Sequence, residues 1–311
     1  MLFSNASKDG GFMPQTFTRA PDERIDSLTN APFFAVHFIP LFAFVTGVTR
    51  FDIALCFGLY VARMFFITAG YHRYFSHRAY KMGRVMQFVM AFGGATAAQK
   101  GPLWWAAHHR HHHKFSDSAN DVHSPLKGFF WSHLGWILCT KYQPTDFEAI
   151  KDFAKYPELR WLNTNYLVPP ILLGVVCFAL GGWSALVVGF FLSTVITYHC
   201  TFVINSLAHV MGRRRYVTTD TSRNSFALAL ITLGEGWHNN HHHYQSTANQ
   251  GFFWWEIDVS YYVLRLLSLV GLVRDLRTPP KQLLTRHRVQ DGYADIGMLA
   301  RSAPSRAAAN G

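Results

Sequence analysis

Charge is scarce in this chain. Of its 311 residues only 15% are Asp, Glu, Lys or Arg, well below the roughly 25% usual in soluble domains, while 50% are hydrophobic and 16% aromatic. The deficit argues against a water-soluble globule and for a membrane protein built as one large domain. Cysteine is scarce too. Cys56, Cys139, Cys177 and Cys200 contain no CxxC pair, and three of them lie in apolar runs. That argues against a disulfide framework and against a thiolate metal site. Acidic residues number 18 against 29 basic ones, a formal charge of +11. A nucleic acid or an anionic membrane surface would suit such a surplus. The start, MLFSNASKDGGF, has no apolar stretch and no small-residue cleavage site, so no cleaved signal peptide is expected.

Long apolar runs are present instead. A helix crossing a bilayer needs about 20 mostly apolar residues. Four segments come close: Ala31 to Gly47, Phe51 to about Gly70, Tyr166 to Leu180, and Ala185 to Asn205. The short turns VTR and GGWS join them in pairs, so two tight hairpins are expected. The expected fold is an all-α integral membrane protein with four transmembrane helices and a helical cap on one side. Residues 1–30 form an N-terminal segment and 31–70 the first hairpin. Residues 71–165 form an interfacial segment, and 166–205 the second hairpin. Residues 206–278 form the rest of the cap, and 279–311 a mobile tail. Lys and Arg number three before Ala31, two in the first hairpin, twelve in the middle segment, none in the second hairpin and twelve after Asn205. The long-loop side is therefore cytoplasmic by the positive-inside rule. Topology and acidic headgroups account for the charge, and no nucleic acid is required. Within the middle segment, GRVMQFVMAFGGATAAQKGPLWWAA reads as a helix at the membrane interface.

Histidine is plentiful as well. Of 17 histidines, only His37 and His199 fall inside the apolar runs. Three clusters stand out: His72 to His77 (HRYFSH), His108 to His113 (HHRHHH) and His238 to His243 (HNNHHH). His209, in NSLAH, stands alone. Neutral imidazole is a common metal ligand, and residues at i, i+3 and i+4 share one helix face. That spacing selects His109, His112 and His113 in the second cluster and His238, His241 and His242 in the third. It leaves His108, His111 and His243 as extras. His72 and His77 are five apart, about 140° around an ideal α-helix, so the helix must bend or end for both to face one point. Asn205 lies one turn before His209 and shares its face. Nine imidazoles and one amide are too many for one ion and suit two. The donor set suits a dinuclear iron site, with zinc able to substitute after overexpression.

At these residues the sequence resembles the membrane-bound fatty acyl desaturases of the stearoyl-CoA type. The family's boxes HxxxxH, HxxHH and HxxHH match His72…His77, His109-x-x-His112-His113 and His238-x-x-His241-His242. The flanking TAGYHRYFSHRAYK, NSLAHVMG and GEGWHNNHH match as well. The resemblance runs from about Thr68 to Asp275. It implies four membrane helices, a cytosolic di-iron site with His209 as a further ligand, and Asn205 reaching a metal through water. It also implies insertion of a cis double bond, at Δ9, into a saturated acyl chain, with O₂ and two electrons consumed. The electrons must come from a separate ferredoxin, rubredoxin or cytochrome with its reductase, because no haem-attachment or flavin motif is present. Arg213, Arg214 and Arg215 are candidates for docking that donor or lipid headgroups. The rivals are a di-iron membrane hydroxylase, which typically has HxxxH in its first box, and a membrane metal transporter or binder.

Acidic and amide residues near the boxes in sequence, Asp117, Asp121, Glu235 and Asn239, are candidates to orient the ligands. The animal acyl-CoA enzymes carry Arg-Asp just before the second box, where this chain has Ala107 and His108. Lys127 and Lys141 remain as candidate headgroup contacts beside His108. The carrier is expected to be acyl-CoA or another thioester, including acyl carrier protein, with a phospholipid as the alternative. Tyr60, Phe65 and Phe66 are the candidates for closing a substrate tunnel. The HHRHHH form resembles bacterial members, which implies a bacterial inner membrane.

Overall fold

The computed structural model describes residues 17–289. Of the tail expected over 279–311, residues 279–289 are described, with His287 and Val289 bonded to Val217 and Arg215 at 2.8 Å; residues 290–311 and 1–16 lie outside that range. The described chain is mostly helical. Its named helices are α1 (Ala31–Phe38), α2 (Arg50–Phe65), α3 (Arg84–Ala95), α4 (Pro102–Phe115), α5 (Val168–Ser184), α6 (Ser193–Asn205), α7 (His238–His243) and α8 (Val259–Leu269). Two short strands, β1 (Lys81–Met82) and β2 (Val273–Arg274), pair antiparallel. They tie the end of the first histidine box to the chain that follows α8.

Two helical runs are long and apolar enough to cross a membrane, Arg50–Ser76 and Val168–His209. A third, Ala31–Thr46, is apolar but shorter. Thr49 starts α2 by accepting from the Asp52 amide, while Asp52 accepts back from Thr49, a capping box that satisfies two orphan donors. Val168–His209 is not one straight rod. Gly181 and Gly182 leave helical geometry, Gly182 at φ +67°, where only glycine sits without strain. The chain doubles back there, and α5 packs on the π-helical stretch Ala185–Leu192. Arg63, in the last turn of α2, is buried and donates to Thr194 Oγ1 (2.7 Å) and Ser193 Oγ. It thus stitches the first hairpin to the second.

The α2 helix widens without a break into a π-helix over Phe66–Ser76. Against it pack α3 and α4. The α3 contact depends on two glycines: a Cβ at Gly93 would lie 2.5 Å from the Phe66 ring, and one at Gly94 would lie 2.3 Å from Tyr71. Only a missing side chain lets the helices come this close. The main apolar core lies here, with Tyr71, Phe75, Met90, Leu103 and Leu159 fully buried. It forms the floor on which the histidine clusters stand.

Candidate metal centre

Each histidine is placed by a local structural cause. In α4, Pro102 opens the helix at a position where no amide hydrogen is needed. Histidines 109, 112 and 113 then project from one side. Arg110 points the other way and donates to the carbonyls of Phe75 (2.7 Å) and Ser76 (3.0 Å), fixing α4 to the end of the first box. His72 and His77 meet because the π-helix bonds i to i+5: the His77 amide donates to the His72 carbonyl at 3.3 Å. In α7, a Cβ at Gly236 would sit 2.0 Å from the Ala229 amide nitrogen, so the loop before the helix requires glycine.

The side chains converge in two groups. Ligand atoms of His72, His77, His109, His113 and His241 all lie within 4.8 Å of one another, as do those of His112, His209, His238 and His242. In the first group Nε2 atoms approach at 2.9 to 3.0 Å, His72 to His241, His77 to His109, His109 to His113 and His113 to His241. In the second, the Nε2 atoms of His209 and His238 are 3.1 Å apart. The two groups adjoin through His113 and His242, whose rings are 4.5 Å apart.

The electrostatics fit a cation. His77, His109, His113, His238 and His241 are all held well below the usual imidazole pKa, first by burial and then by neighbouring imidazoles. Neutral rings offer lone pairs. Carboxylates fix which nitrogen offers one. Asp121 sits 3.0 Å from His112 Nδ1, Asp220 2.7 Å from His242 Nδ1, and Glu235 2.6 Å from His72 Nδ1. Asp117 lies 3.4 Å from His209 Nδ1. An Nδ1–H donated outward leaves Nε2 free to face inward. The Nε2 atoms of His112 and His242 are buried and have no partner within the protein, as metal ligands would. Burial works to raise the Asp121 and Asp220 pKa values, but the adjoining imidazoles outweigh it and hold both carboxyls far below the usual range. Glu235 is shared with Arg73, which is fully buried and also grips Asp258 at 2.9 Å.

A cavity of about 990 Å³ reaches this centre. It is lined by α1, α5, α6 and the Ala98–Trp105 stretch, and it touches His109, His123 and Asn205. Tyr60, Phe65 and Phe66 do not line it. The Tyr60 hydroxyl instead donates to the Ile231 carbonyl, and both phenylalanines pack against the core. Trp183 and Phe178 occupy the wall near the hairpin turn.

Other sequence candidates have different partners. Asn239 meets no histidine: it accepts from the amides of Arg215 (2.8 Å) and Tyr216 (2.7 Å) and shapes the loop behind α7. Lys127 is buried against Glu23 at 2.7 Å, and Lys141 pairs with Asp22. His108 lies on Trp104 and bonds its carbonyl at 2.9 Å. Burial drives its pKa down to about 4. It lines a second cavity of about 350 Å³ with His111 and Lys141. Arg215 is taken up by Glu256. Three residues were not anticipated. Asp220 lies in a loop with no motif spacing. Gln250 reaches His72 Nδ1 at 3.3 Å. His123 is buried with its ring 4.1 Å from His112 and its Nδ1 unpartnered; the only signal was its place in DVHSP, beside the box.

Comparison with known proteins agrees with this geometry. A model of the fatty acid desaturase family matches residues 52–272. The chain belongs to the fatty acid desaturase family. Among relatives of this desaturase, the sn-1 stearoyl-lipid 9-desaturase of Synechocystis is 37% identical over 80% of this chain and 79% of its own length. That of Anabaena variabilis is 34% identical over 86% and 99%. The chloroplastic palmitoyl-monogalactosyldiacylglycerol delta-7 desaturase of Arabidopsis thaliana is 38% identical over 73% of this chain, which spans 62% of that relative. As desaturases, the family's members are oxidoreductases acting on acyl chains, and this chain is one of them.

Proposed function

We propose that the protein is an O₂-dependent desaturase that places a cis double bond at Δ9 in a saturated acyl chain carried on a bilayer glycerolipid. It works with two iron ions and with electrons from a separate ferredoxin, rubredoxin or cytochrome. The observation that carries the proposal is the meeting of nine histidines, in groups of five and four, at one end of a large apolar cavity. His72, His77, His109, His113 and His241 would hold one ion. His112, His209, His238 and His242 would hold the other, with Asn205 reaching it through water. Bound there, the ions supply the oxidising power needed to take two hydrogens from unactivated methylenes, with O₂, two electrons and two protons leaving as two waters.

The chain's own residues do the rest. Asp121, Asp220 and Glu235 hold the tautomers that keep Nε2 facing inward. Trp105 backs His109, ring on ring at 5.0 Å, and keeps that imidazole from turning. The apolar wall excludes water from the reacting carbons. The polar part of the wall bears on the carrier. Thr29, Asn30, Thr140 and Gln143 are neutral, and among the described residues Lys100 is the one Lys or Arg lining the cavity. Neutral hydrogen-bonding groups suit a glycerol ester better than the several phosphate charges of coenzyme A. The relatives whose names specify acyl-lipid substrates support the same choice over the thioester expected from sequence.

The proposed topology has four crossings, with the break at Gly181–Gly182 as the turn of the second hairpin. The histidines and both ends face the cytoplasm, in a bacterial inner membrane, supported by the Lys and Arg distribution. The test is expression in a desaturase-deficient host with donor proteins supplied. Gas chromatography should reveal a new Δ9 monoene, first in glycerolipids and not in the acyl-CoA pool, and purified protein should carry two iron ions. No new unsaturated species would refute the reading.

A further inference from the structure

Between the cavity and the outside, α1 is a wall one helix thick. None of its residues is buried. Pro32, Phe33 and Val36 line the cavity, while Phe34 and Phe38 on the same helix are exposed outward. The helix packs on Ala185–Leu192 and on its own continuation, and makes no comparable packing with α5. Across that seam, Ile171, Val175 and Phe178 of α5 line the cavity and are also exposed, Ile171 to 60% and Val175 to 61%. The cavity therefore has no second layer of protein along the α1–α5 line.

One polar device holds α1 in place. His37 Nδ1 bonds the Phe33 carbonyl at 2.8 Å, and His37 Nε2 meets His199 Nε2 at 3.2 Å. His199 Nδ1 meets His133 Nε2 at 3.0 Å, and His133 Nδ1 meets Ser206 Oγ at 3.0 Å. The carbonyl fixes the proton order. His37 donates from Nδ1 and accepts at Nε2, so His199 donates from Nε2 and His133 donates from Nε2, which leaves His133 Nδ1 to accept from the Ser206 hydroxyl, whose one hydrogen is shared with the Phe202 carbonyl at 3.1 Å. Every ring is satisfied while neutral, which a site inside a bilayer requires. The chain links α1, α6 and the Trp131–Gly135 segment, and the metal boxes use none of its three histidines.

We infer that a bilayer glycerolipid inserts its acyl chain sideways through the seam between α1 and α5, and that the His37–His199–His133 chain is the latch holding α1 over it. The inference rests on the glycerolipid reading above. A lipid-borne chain entering here never leaves an apolar medium, whereas any route through the cytoplasmic face would draw its methylenes into water. The apolar wall continues from the seam to His109 and Asn205, so the same chain can reach the metal end without turning out of the cavity.

The test reads lipid entry without turnover or metal. The protein is placed in nanodiscs with a glycerolipid whose acyl chain carries a diazirine, and photolabelled residues are mapped by mass spectrometry. Label is expected on cavity residues such as Tyr198 and Phe202. A Val36→Cys/Ile171→Cys variant, bridged by a bifunctional methanethiosulfonate, should lose that label to background and regain it on reduction. Labelling that persists in the bridged protein overturns the seam. A cavity labelled by diazirine acyl-CoA but never by the glycerolipid overturns the glycerolipid reading, and the inference with it. His37→Leu should raise the labelling rate about fivefold, the factor carried by one net hydrogen bond. An unchanged rate in a His37→Leu protein of unaltered melting temperature removes the latch.

Discussion

Replacing Asp220 with Asn should loosen one metal ion and spare the other. Asp220 Oδ2 holds His242 Nδ1 at 2.7 Å, while Oδ1 accepts from Thr218 Oγ1 and from the Ser222 amide, each at 3.0 Å. A carboxylate accepts on both sides, and an amide cannot. If the new NH₂ faces the imidazole, His242 must move its proton to Nε2, the atom that faces the four-histidine group. If it faces the loop, it opposes the Ser222 N–H. Loss of such a partner typically costs 10- to 100-fold in metal affinity, roughly 1.4 to 2.8 kcal/mol. In a chelator titration of iron-loaded protein, one of the two ions should leave at about 10- to 100-fold lower chelator concentration. The other should leave as in the wild type. Glu235→Gln, acting on His72, should loosen the ion of the five-histidine group instead. Asp220→Asn releasing both ions together, or neither, would refute the assignment of these carboxylates to separate ions.

His109→Ala should abolish desaturation. His111→Ala should leave most of it, because the His111 ring bonds the Asn120 carbonyl at 2.9 Å and belongs to neither group; product analysis of the two variants side by side checks this. Metal-free protein should lose stability as pH falls. The imidazoles of His77, His109, His113, His238 and His241 sit below their ordinary value of 6.5, so at these positions the unfolded chain binds protons that the fold excludes. Stability is then full above about pH 6.5 and declines below it, by up to about 1.4 kcal/mol per pH unit for each histidine. Thermal unfolding of the chelated protein from pH 8 to pH 5 measures it, and a flat melting temperature contradicts it. Trp183→Ala should lengthen the accepted acyl chain, since Trp183 lies on the cavity wall near the hairpin turn; an unchanged product profile by gas chromatography removes that role.

Much of the centre could be read from spacing because α4 and α7 are ordinary helices, in which i, i+3 and i+4 share a face. The three members of HHRHHH picked by that rule, His109, His112 and His113, are those in the two groups, with His113 and His112 divided between them. No periodic rule covers a loop, so Asp220 had no signal beyond residue type, and His123 only its place in DVHSP beside the second box. The cavity wall was misread for a different reason. Tyr60, Phe65 and Phe66 lead toward His72 along the chain, but α1 of the same hairpin lines the cavity and α2 does not; which helix of a hairpin faces it depends on tertiary packing. Arg63 with Ser193 and Thr194 turns that side of α2 toward α6. Asn239 sits between ligands in sequence, yet on a helix its neighbours face elsewhere, and its amide serves backbone.

The wide turn at Phe66–Ser76 carries one more consequence. Spacing within the first box is a statement about helix pitch, not about distance. In an α-helix the partner of His72 would be residue 76, which is a serine; the i to i+5 ladder makes it residue 77. Removing one residue between His72 and His77 would therefore not shorten the reach between the two imidazoles. If the span returned to α pitch, i and i+4 would meet and the two imidazoles would stay on one face; if the i to i+5 ladder were kept, every later side chain would turn by one residue's rotation, about 100° or a little less, and His77 would lose its aim at His109. The five-residue box and the π-helix are one structural unit, and neither can change alone.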